Sequence, residues 1–234
     1  MTARPIIFSA PMIRALLDGQ KTQTRRIVKP QPPRDHSPLV VGRFCPTVID
    51  RWGEELPGEE VFGVTTESGE WCLPCPYGQP GDLLWVKETF QPILTPYFDP
   101  PDSEWATGKG YQVLYMATDK AVVYVDRDDN VTERRKPSTH MPRWASRLTL
   151  RITDVRVQRV QEISEADAEA EGGSPYAPIY GDTGGYSRRE LELYKQGFKQ
   201  LWQSIHGPDS WSANLYVWAL TFEVIRKNIA EVNT

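Results

Sequence analysis

Apolar residues near the start of the chain recur first in a continuous run and then at helical spacing. Residues 6–8 form a short apolar run, which predicts a strand. Ser9 follows in a position to cap a helix, and Pro11 would lie in the first turn, where proline is tolerated. The apolar positions of this predicted helix are Met12, Ile13, Leu16 and Leu17. Gly19 provides a stop, so the threonines and cations that follow begin where a helix ends.

The middle of the chain has fewer apolar runs. Residues 30–80 are rich in Pro, Gly and charge, and we expect an irregular excursion there. Residues 83–86 are a compact apolar run after a Gly-Asp turn, which is typical of a buried strand. A second irregular region, residues 91–112, precedes predicted strands at 113–117 and 122–125.

Regular alternation of apolar and polar residues returns at residues 147–160 and predicts half-exposed strands. The alternation changes phase at Thr153 and Asp154, which predicts two strands separated by a turn or bulge. A final strand is predicted at 217–224.

Two more helices are predicted before this final strand. Ser164, with Asp167 three residues later, is similar to a capping box, so a short helix should span residues 165–171 and end at the two glycines that follow. A longer helix is predicted at 188–205. Its apolar stripe consists of Leu191, Tyr194, Phe198, Leu201 and Trp202.

Many strands, three helices and long polar segments together predict an α+β fold. A small mixed β-barrel with short flanking helices and looped insertions fits this order better than a doubly wound parallel sheet, because strands and helices do not alternate regularly. The 234 residues, 39% of them hydrophobic, suffice for one sizeable core. We therefore expect one elaborated domain over residues 1–234.

Charge narrows the range of partners. The formal net charge is -4 and the sequence pI is about 5.5. Binding of nucleic acid through overall charge needs many cations presented together, which this balance does not provide. Any contact with a polyanion should therefore be local.

The predicted location is the cytoplasm, without a membrane partner. No apolar run approaches the length of a membrane-spanning helix, and the apolar core of MTARPIIFSAP is too short for a secretory signal. The three cysteines are an odd number and do not indicate a disulfide framework, which agrees with a reducing compartment.

The first candidate for chemistry is the basic stretch KTQTRR, residues 21–26. Arg25 and Arg26 this close to Lys21 can lower the lysine pKa and favour an anion nearby, and a lysine that loses its proton could activate the hydroxyl of Thr24. The alternative is a solvated basic strand with threonines chosen for β propensity. In a regular strand Lys21 and Thr24 point to opposite faces, so cooperation requires a bend between Gly19 and Thr24.

The second candidate is Glu171, the last residue before the glycines in SEADAEAEGG. A carboxylate at a helix C-terminus meets the negative end of the helix dipole, which is electrostatically unfavourable. The alternative is a surface glutamate in an acidic helix, because exposed helix ends tolerate such residues at small cost.

The third candidate is a zinc site. Cys72 and Cys75 form a CxxC pair, and Cys45 upstream plus one histidine could complete four ligands. The histidines of the chain are His36, His140 and His206. Without a second CxxC the signal is weak, and redox chemistry has less support because no strand-CxxC-helix context is predicted.

The fourth candidate is the segment THMPRWASR, residues 139–147. Trp144 beside Arg143 suits stacking on a nucleobase with phosphate contacts nearby. The alternative is that Trp144 packs in the core while the arginines are solvated.

Four ordered motifs resemble the ASCH domain, a PUA-like β-barrel family linked to RNA. The motifs are DGQKTQTRR, GDLLWVKETF, RITDVRVQRVQEISEADAEAEG and the terminal VWALTFEV. The resemblance covers about residues 4–29, 81–90 and 143–224 and is closest to the larger phage and prophage members. It implies a single PUA-like (ASCH) domain with insertions at about 31–80 and 91–140.

The resemblance also implies an activity. Small bacterial members similar to the N4-acetylcytidine amidohydrolase carry a G-x-K-T-x-T-x-R motif, matched here by residues 19–26, and a glutamate near the end of the following short helix, which falls on Glu171. Lys21, Thr24 and Glu171 are thus the implied catalytic residues, Arg26 is implied to bind substrate, and no metal or cofactor is required. The implied substrate is a modified nucleoside or nucleobase acylated at N4 of cytosine.

Two other classes of function remain open. Some ASCH proteins are described as single-strand ribonucleases or as RNA-binding modules, and the acidic balance counts mildly against tight binding of long RNA. A structural or regulatory phage protein that has lost activity is the third possibility, against which the full set of Lys, Thr, Arg and Glu weighs.

Overall fold

The computed structural model describes residues 3–35, 37–94, 108, 110–125, 130–173 and 193–232 of the chain. The chain divides into two compact units. Unit 1 consists of Met1–Gly19, Asp82–Arg151 and Glu223–Thr234, and unit 2 consists of Gln20–Gly81 and Ile152–Phe222. Each unit therefore combines segments that are distant in sequence.

The described residues form an α+β fold in which strands predominate, as predicted. The strands are β1 (Ala3–Ile7), β2 (Gln23–Ile27), β3 (Leu39–Phe44), β4 (Thr47–Ile49), β5 (Glu55–Pro57), β6 (Val61–Thr66), β7 (Cys72–Pro74), β8 (Leu83–Lys87), β9 (Phe90–Leu94), β10 (Tyr111–Tyr115), β11 (Tyr124–Val125), β12 (Val131–Thr132), β13 (Thr149–Arg159) and β14 (Tyr216–Ile225). The helices are α1 (Ala10–Leu17), α2 (Glu165–Ala170), α3 (Leu193–His206) and α4 (Ile229–Val232). The described strand pairings do not form a closed barrel.

In unit 1 the strands follow the order β1-β8-β13. Strand β8 is parallel to β1 and antiparallel to β13. It confirms the strand predicted at 83–86, and Leu83, Leu84 and Val86 are buried. A central strand that is buried on both faces has a continuous run of apolar residues, and such a run predicts a strand from the local sequence alone.

Helix α1 begins and ends as predicted. Ser9 occupies the N-cap position with extended backbone, and Gly19 has a φ of 73° just after the helix, a conformation that glycine adopts at little cost. Within the described part of the chain, the Ser9 side chain makes no capping hydrogen bond. The predicted capping by this hydroxyl is therefore wrong, and burial of Ile13 and Leu16 holds the helix instead.

The prediction of an irregular excursion at 30–80 is wrong. Strands β3, β6 and β7 form an antiparallel sheet, and β4 pairs with β5 as a hairpin. The short apolar pieces at 39–41 and 61–64 lie in the paired strands β3 and β6, where Val41 lies opposite Val64. Each piece is too short to predict a strand alone, and the pairing of the two strands that contain them supplies the missing signal.

The predicted irregular region at 91–112 is also partly wrong. Strand β9 pairs antiparallel with β10, with Leu94 opposite Tyr111, so both ends of this region are strands. Residues 95–107 and 109 between them lie outside the described residues.

Residues 149–159 form the single strand β13, so the prediction of two strands is wrong. The phase change is present, because Thr153 and Asp154 are both exposed, but the strand continues through it. Neighbouring strands β8 and β14 hydrogen-bond to β13 and keep its backbone extended.

In unit 2 the order is β13-β14-β2, with β14 antiparallel to β2. Helices α2 and α3 pack over a core formed by Val160, Ile163, Ala168, Phe198, Trp202 and Val217. The predicted final strand is β14, and the longer predicted helix is α3. The predicted first residues of that helix, 188–192, lie outside the described residues.

None of the helices in the described ranges is both long and apolar enough to cross a membrane.

Candidate active site

Lys21 precedes β2 rather than belonging to it. Strand β2 starts at Gln23, while Lys21 forms an isolated antiparallel bridge with Glu171. The Thr22 N–H donates to the carbonyl of Ala170 at 2.8 Å, and this carbonyl lies at the end of α2. The residues just before β2 are therefore hydrogen-bonded to the C-terminal end of α2.

The Lys21 ammonium and the Glu171 carboxylate form a buried ion pair. The Nζ atom donates to Oε2 of Glu171 at 2.7 Å and to the Glu171 main-chain carbonyl at 2.8 Å. Lys21 is 0% exposed and Glu171 is 5% exposed. The two residues are 150 positions apart, and the resemblance had paired the same two.

Helix α2 places Glu171 at its C-terminal end. The Ser164 hydroxyl accepts a hydrogen bond from the Asp167 N–H at 3.1 Å, as predicted, and Gly172 follows Glu171 with a φ of 75°. The last carbonyls of a helix lack partners within it, and the helix dipole opposes a carboxylate there. The Lys21 ammonium offsets both unfavourable effects, because it donates a hydrogen bond to the Glu171 carbonyl and its charge compensates that of the carboxylate.

Arg25 joins the same cluster and is fully enclosed. Its guanidinium donates from Nη1 to Oε1 of Glu171 at 3.2 Å and from Nη2 to Oδ2 of Asp167 at 3.0 Å. Gln23 donates to the other oxygen of Asp167 at 2.9 Å. Gln23 and Arg25 alternate along β2, and Asp167 precedes Glu171 by one helical turn, so these spacings were a signal that sequence reasoning missed.

Thr24 is buried within β2, opposite Leu220 of β14. Strand alternation places Thr24 and Arg26 on the face of β2 opposite Gln23 and Arg25. That alternation does not extend to Lys21, which lies outside the strand. The cooperation of Thr24 with Lys21 stays a prediction.

Burial lowers the pKa of Lys21, which is the predicted direction with a different main cause. The Glu171 carboxylate opposes the shift by raising the pKa, and the positive charges of Arg26 and Arg25 add smaller decreases. Repulsion between cations, the predicted cause, is thus a minor contribution. A lowered pKa brings Lys21 closer to acting as a base at neutral pH.

Arg26 has two neighbours that the sequence did not suggest. Burial lowers the pKa of Arg26, whereas Tyr77 and Glu171 act in the opposite direction. Burial also lowers the pKa of His206, and the charges of Arg26 and Lys29 add to this decrease. Tyr77 follows β7 and His206 ends α3, so no local spacing connects either of them with Arg26.

The three cysteines do not assemble a metal centre in the described residues. Cys45 is exposed, Cys72 is partly buried and Cys75 is buried, and no disulfide joins them in the described residues. Across the described ranges, no three or more His, Cys, Asp or Glu side chains come together in a group that could hold a metal ion. His36 lies outside the described residues.

Arg143 and Trp144 belong to unit 1, whereas the Lys21 cluster belongs to unit 2. Trp144 packs against the core cluster of Phe90, Met141 and Ala145. A Cβ atom at Gly108 would lie 2.9 Å from Cζ3 of Trp144, so the backbone covers part of the indole. Arg143 is exposed. These contacts are those of the packing alternative for Trp144.

Comparisons with family models, with curated proteins and with solved structures find no match for this chain.

Proposed function

We propose that the chain is a metal-free amidohydrolase that removes acyl groups from the exocyclic N4 of cytosine-type nucleosides. We further propose that its strands belong to a PUA-like barrel of the ASCH family. The buried Lys21–Glu171 pair, with 2.7 Å between Nζ and Oε2, is the observation that carries the proposal. The resemblance in sequence motifs had assigned these two residues to one site.

The cost of burial supports a functional role for this pair. Moving an ammonium and a carboxylate out of water costs several kcal/mol per ion, which their attraction only partly offsets. Buried ionisable side chains with a shifted pKa, such as the lowered pKa of Lys21, are concentrated at catalytic sites. A solvated basic strand, the alternative for KTQTRR, would not enclose Lys21.

The proposed reaction is hydrolysis of an amide. Thr24 attacks the acyl carbonyl, or positions the water that attacks it, and the neutral amine of Lys21 accepts the proton. Glu171 orients Lys21 and relays protons, and Arg26 stabilises the developing oxyanion. The C–N bond breaks and the N4 amine leaves with a proton. Where Thr24 is the nucleophile, the acyl group is held as an ester on its oxygen until water hydrolyses this ester, and on either route water supplies the oxygen of the released acid.

The test is ultraviolet detection of turnover on N4-acetylated cytosine, cytidine and deoxycytidine. We expect Lys21→Ala and Thr24→Ala to lose at least about 100-fold in kcat, as removal of a general base or nucleophile does. The matched controls Lys29→Ala and Thr22→Ala alter exposed side chains of the same stretch and should keep turnover. Circular dichroism should show that all four variants fold.

Failure of the wild-type protein to hydrolyse any N4-acylated cytosine at high enzyme concentration would overturn the proposal. Cleavage of labelled single-stranded RNA would then indicate a ribonuclease. A salt-sensitive shift without cleavage would indicate an RNA-binding module.

A further inference from the structure

The Glu171 carboxylate is held from two sides. Its Oε2 atom accepts from Lys21 at 2.7 Å, and its Oε1 atom accepts from Arg25 at 3.2 Å. One donor alone would leave the carboxylate free to rotate, whereas a donor on each oxygen fixes its plane.

Arg25 is itself anchored. Its second terminal nitrogen binds Asp167 at 3.0 Å, and Asp167 is held in turn by Gln23 at 2.9 Å. A guanidinium is rigid and planar, so fixing one arm on Asp167 determines where the other arm points. The centroid of the Phe198 ring lies 5.9 Å from the guanidinium carbon, so an aromatic ring lies beside this group.

We propose that Arg25 is a positioning residue that holds the Glu171 carboxylate so that Oε2 faces the Lys21 amine. Because Arg25 binds the other oxygen, the negative charge of Glu171 is shared between Arg25 and Lys21. This inference rests on the proposed function for its catalytic consequence. The arrangement itself rests only on the described contacts.

The charges around Lys21 determine the direction of the effect. Glu171 contacts it directly from the end of α2, with Asp167 one turn away, and the charges of Arg25 and Arg26 on β2 also act on it. Arg156 touches Asp167 from β13 at 3.4 Å, and Tyr77 and His206 act on Arg26. Arg25 repels the Lys21 charge and also competes for Glu171, so both of its effects favour a neutral Lys21.

Removal of Arg25 should therefore let Lys21 keep its proton to higher pH. In Arg25→Met we expect the acidic limb of the kcat/KM profile to move to higher pH by less than about one pH unit, because the charge of Arg25 is a small contribution to the lowered pKa of Lys21. The matched control is Arg156→Met, because Arg156 also contacts Asp167 but has no contact with Glu171 among those described. Its profile should overlay that of the wild type.

Arg25→Lys separates charge from geometry. It keeps the positive charge and loses the fork, so the limb should stay in place while kcat falls about 10-fold with little change in KM. If Arg25→Met fails to fold, this variant carries the test. Wild-type kcat in Arg25→Lys would then overturn the inference.

A readout without substrate keeps the two proposals distinguishable. In protein labelled with 13C at lysine Cε, the Lys21 resonance is assigned by its loss in Lys21→Arg. This resonance should titrate at higher pH in Arg25→Met than in the wild type, and at the wild-type pH in Arg156→Met. An unchanged Lys21 titration in Arg25→Met overturns the inference even in an active enzyme. The expected shift in a protein that is inactive on every N4-acylated cytosine would refute the amidohydrolase and leave the positioning role intact.

Discussion

At the scale of single residues, the cluster around Glu171 balances charge against burial. Lys21 and Arg25 bring two positive charges, and Glu171 and Asp167 bring two negative charges. Removing one member leaves a buried charge without its partner, which costs more than the intact pair contributes. Stability measurements should therefore report on the same residues as activity.

Glu171→Gln is expected to destabilise the protein by about 3–5 kcal/mol, because Lys21 would remain buried with a neutral partner. Urea unfolding followed by circular dichroism measures the change in the free energy of unfolding. Glu169→Gln is the matched control, since Glu169 is an exposed carboxylate on the same helix, and it should change stability by less than about 0.5 kcal/mol. Equal losses in both variants would contradict the buried pair.

The lowered pKa of Asp167 predicts that the free energy of unfolding depends on pH in the acidic range. Burial alone would raise the pKa of Asp167, but the hydrogen bond from Gln23 and the charges of Arg25 and Arg156 outweigh it and hold this pKa below its ordinary value of 3.8. A carboxylate with a lowered folded pKa stabilises the fold above its ordinary value and loses this contribution as the pH falls through the folded pKa.

Asp167→Asn should therefore cost about 1.5–3 kcal/mol at neutral pH, the worth of hydrogen bonds to a charged group. The difference from the wild type should shrink as the pH falls below 3.8. Urea unfolding over a pH series measures it. Glu169→Gln, which removes an exposed carboxylate from the same helix, controls for the general loss of a negative charge. A gap that widens on acidification would contradict the assigned contacts.

At the scale of elements, the junction of α2 with the start of β2 positions the candidate site. The short helix is held at its N-terminus by Ser164 and at its C-terminus by Thr22 and Lys21. Isolated helices of this length are unstable in water, so these end contacts and the packing of Ala168 maintain it.

Ser164→Ala should destabilise the protein by about 1 kcal/mol through loss of the N-cap hydrogen bond. Ser9→Ala is an internal control, since Ser9 occupies the same position on α1 without a capping bond from its side chain in the described residues. Thermal unfolding should show a lower Tm for Ser164→Ala only. A comparable drop for Ser9→Ala would show that the hydroxyl at an N-cap is not the relevant difference.

The sheet β3-β6-β7 offers a matched pair of glycines for testing its register. Gly42 and Gly63 lie opposite each other, but a Cβ atom at Gly63 would overlap the Leu73 carbonyl and lie 2.7 Å from Cα of Pro74, whereas a Cβ atom at Gly42 meets nothing within 4 Å. Gly63→Ala should therefore lose about 1–3 kcal/mol to overpacking, and Gly42→Ala should be neutral or slightly stabilising. Urea unfolding distinguishes them, and equal effects would contradict the pairing of β6 with β7.

At the scale of the whole molecule, the chain builds two units from interleaved segments. The predicted insertion at 31–80 lies in unit 2, together with the Lys21 cluster, and the predicted insertion at 91–140 lies in unit 1, together with Arg143 and Trp144. The motifs that resemble the ASCH family fall in both units. The predicted single ASCH domain stays a prediction.

Elements whose signals lie within a few residues could be predicted from the sequence alone. Helix α1 with its glycine stop, the Ser164 cap of α2, buried β8 and the last strand β14 all appear near their predicted bounds. Their patterns are local, because spacing, caps and turns act through neighbours in the chain. The sequence also singled out Lys21 and Glu171, each as a local irregularity.

Only the tertiary structure decided which partners these residues have. The strands within 30–80 and the continuity of β13 depend on pairing with distant strands, which no single window contains. Enclosure by the fold, more than its arginine neighbours, lowers the pKa of Lys21. Arg25 also joins Asp167 and Glu171 across more than 140 residues of chain. Such contacts depend on burial, because a buried charge is stable only when the fold brings a group of opposite charge or a hydrogen-bond partner next to it.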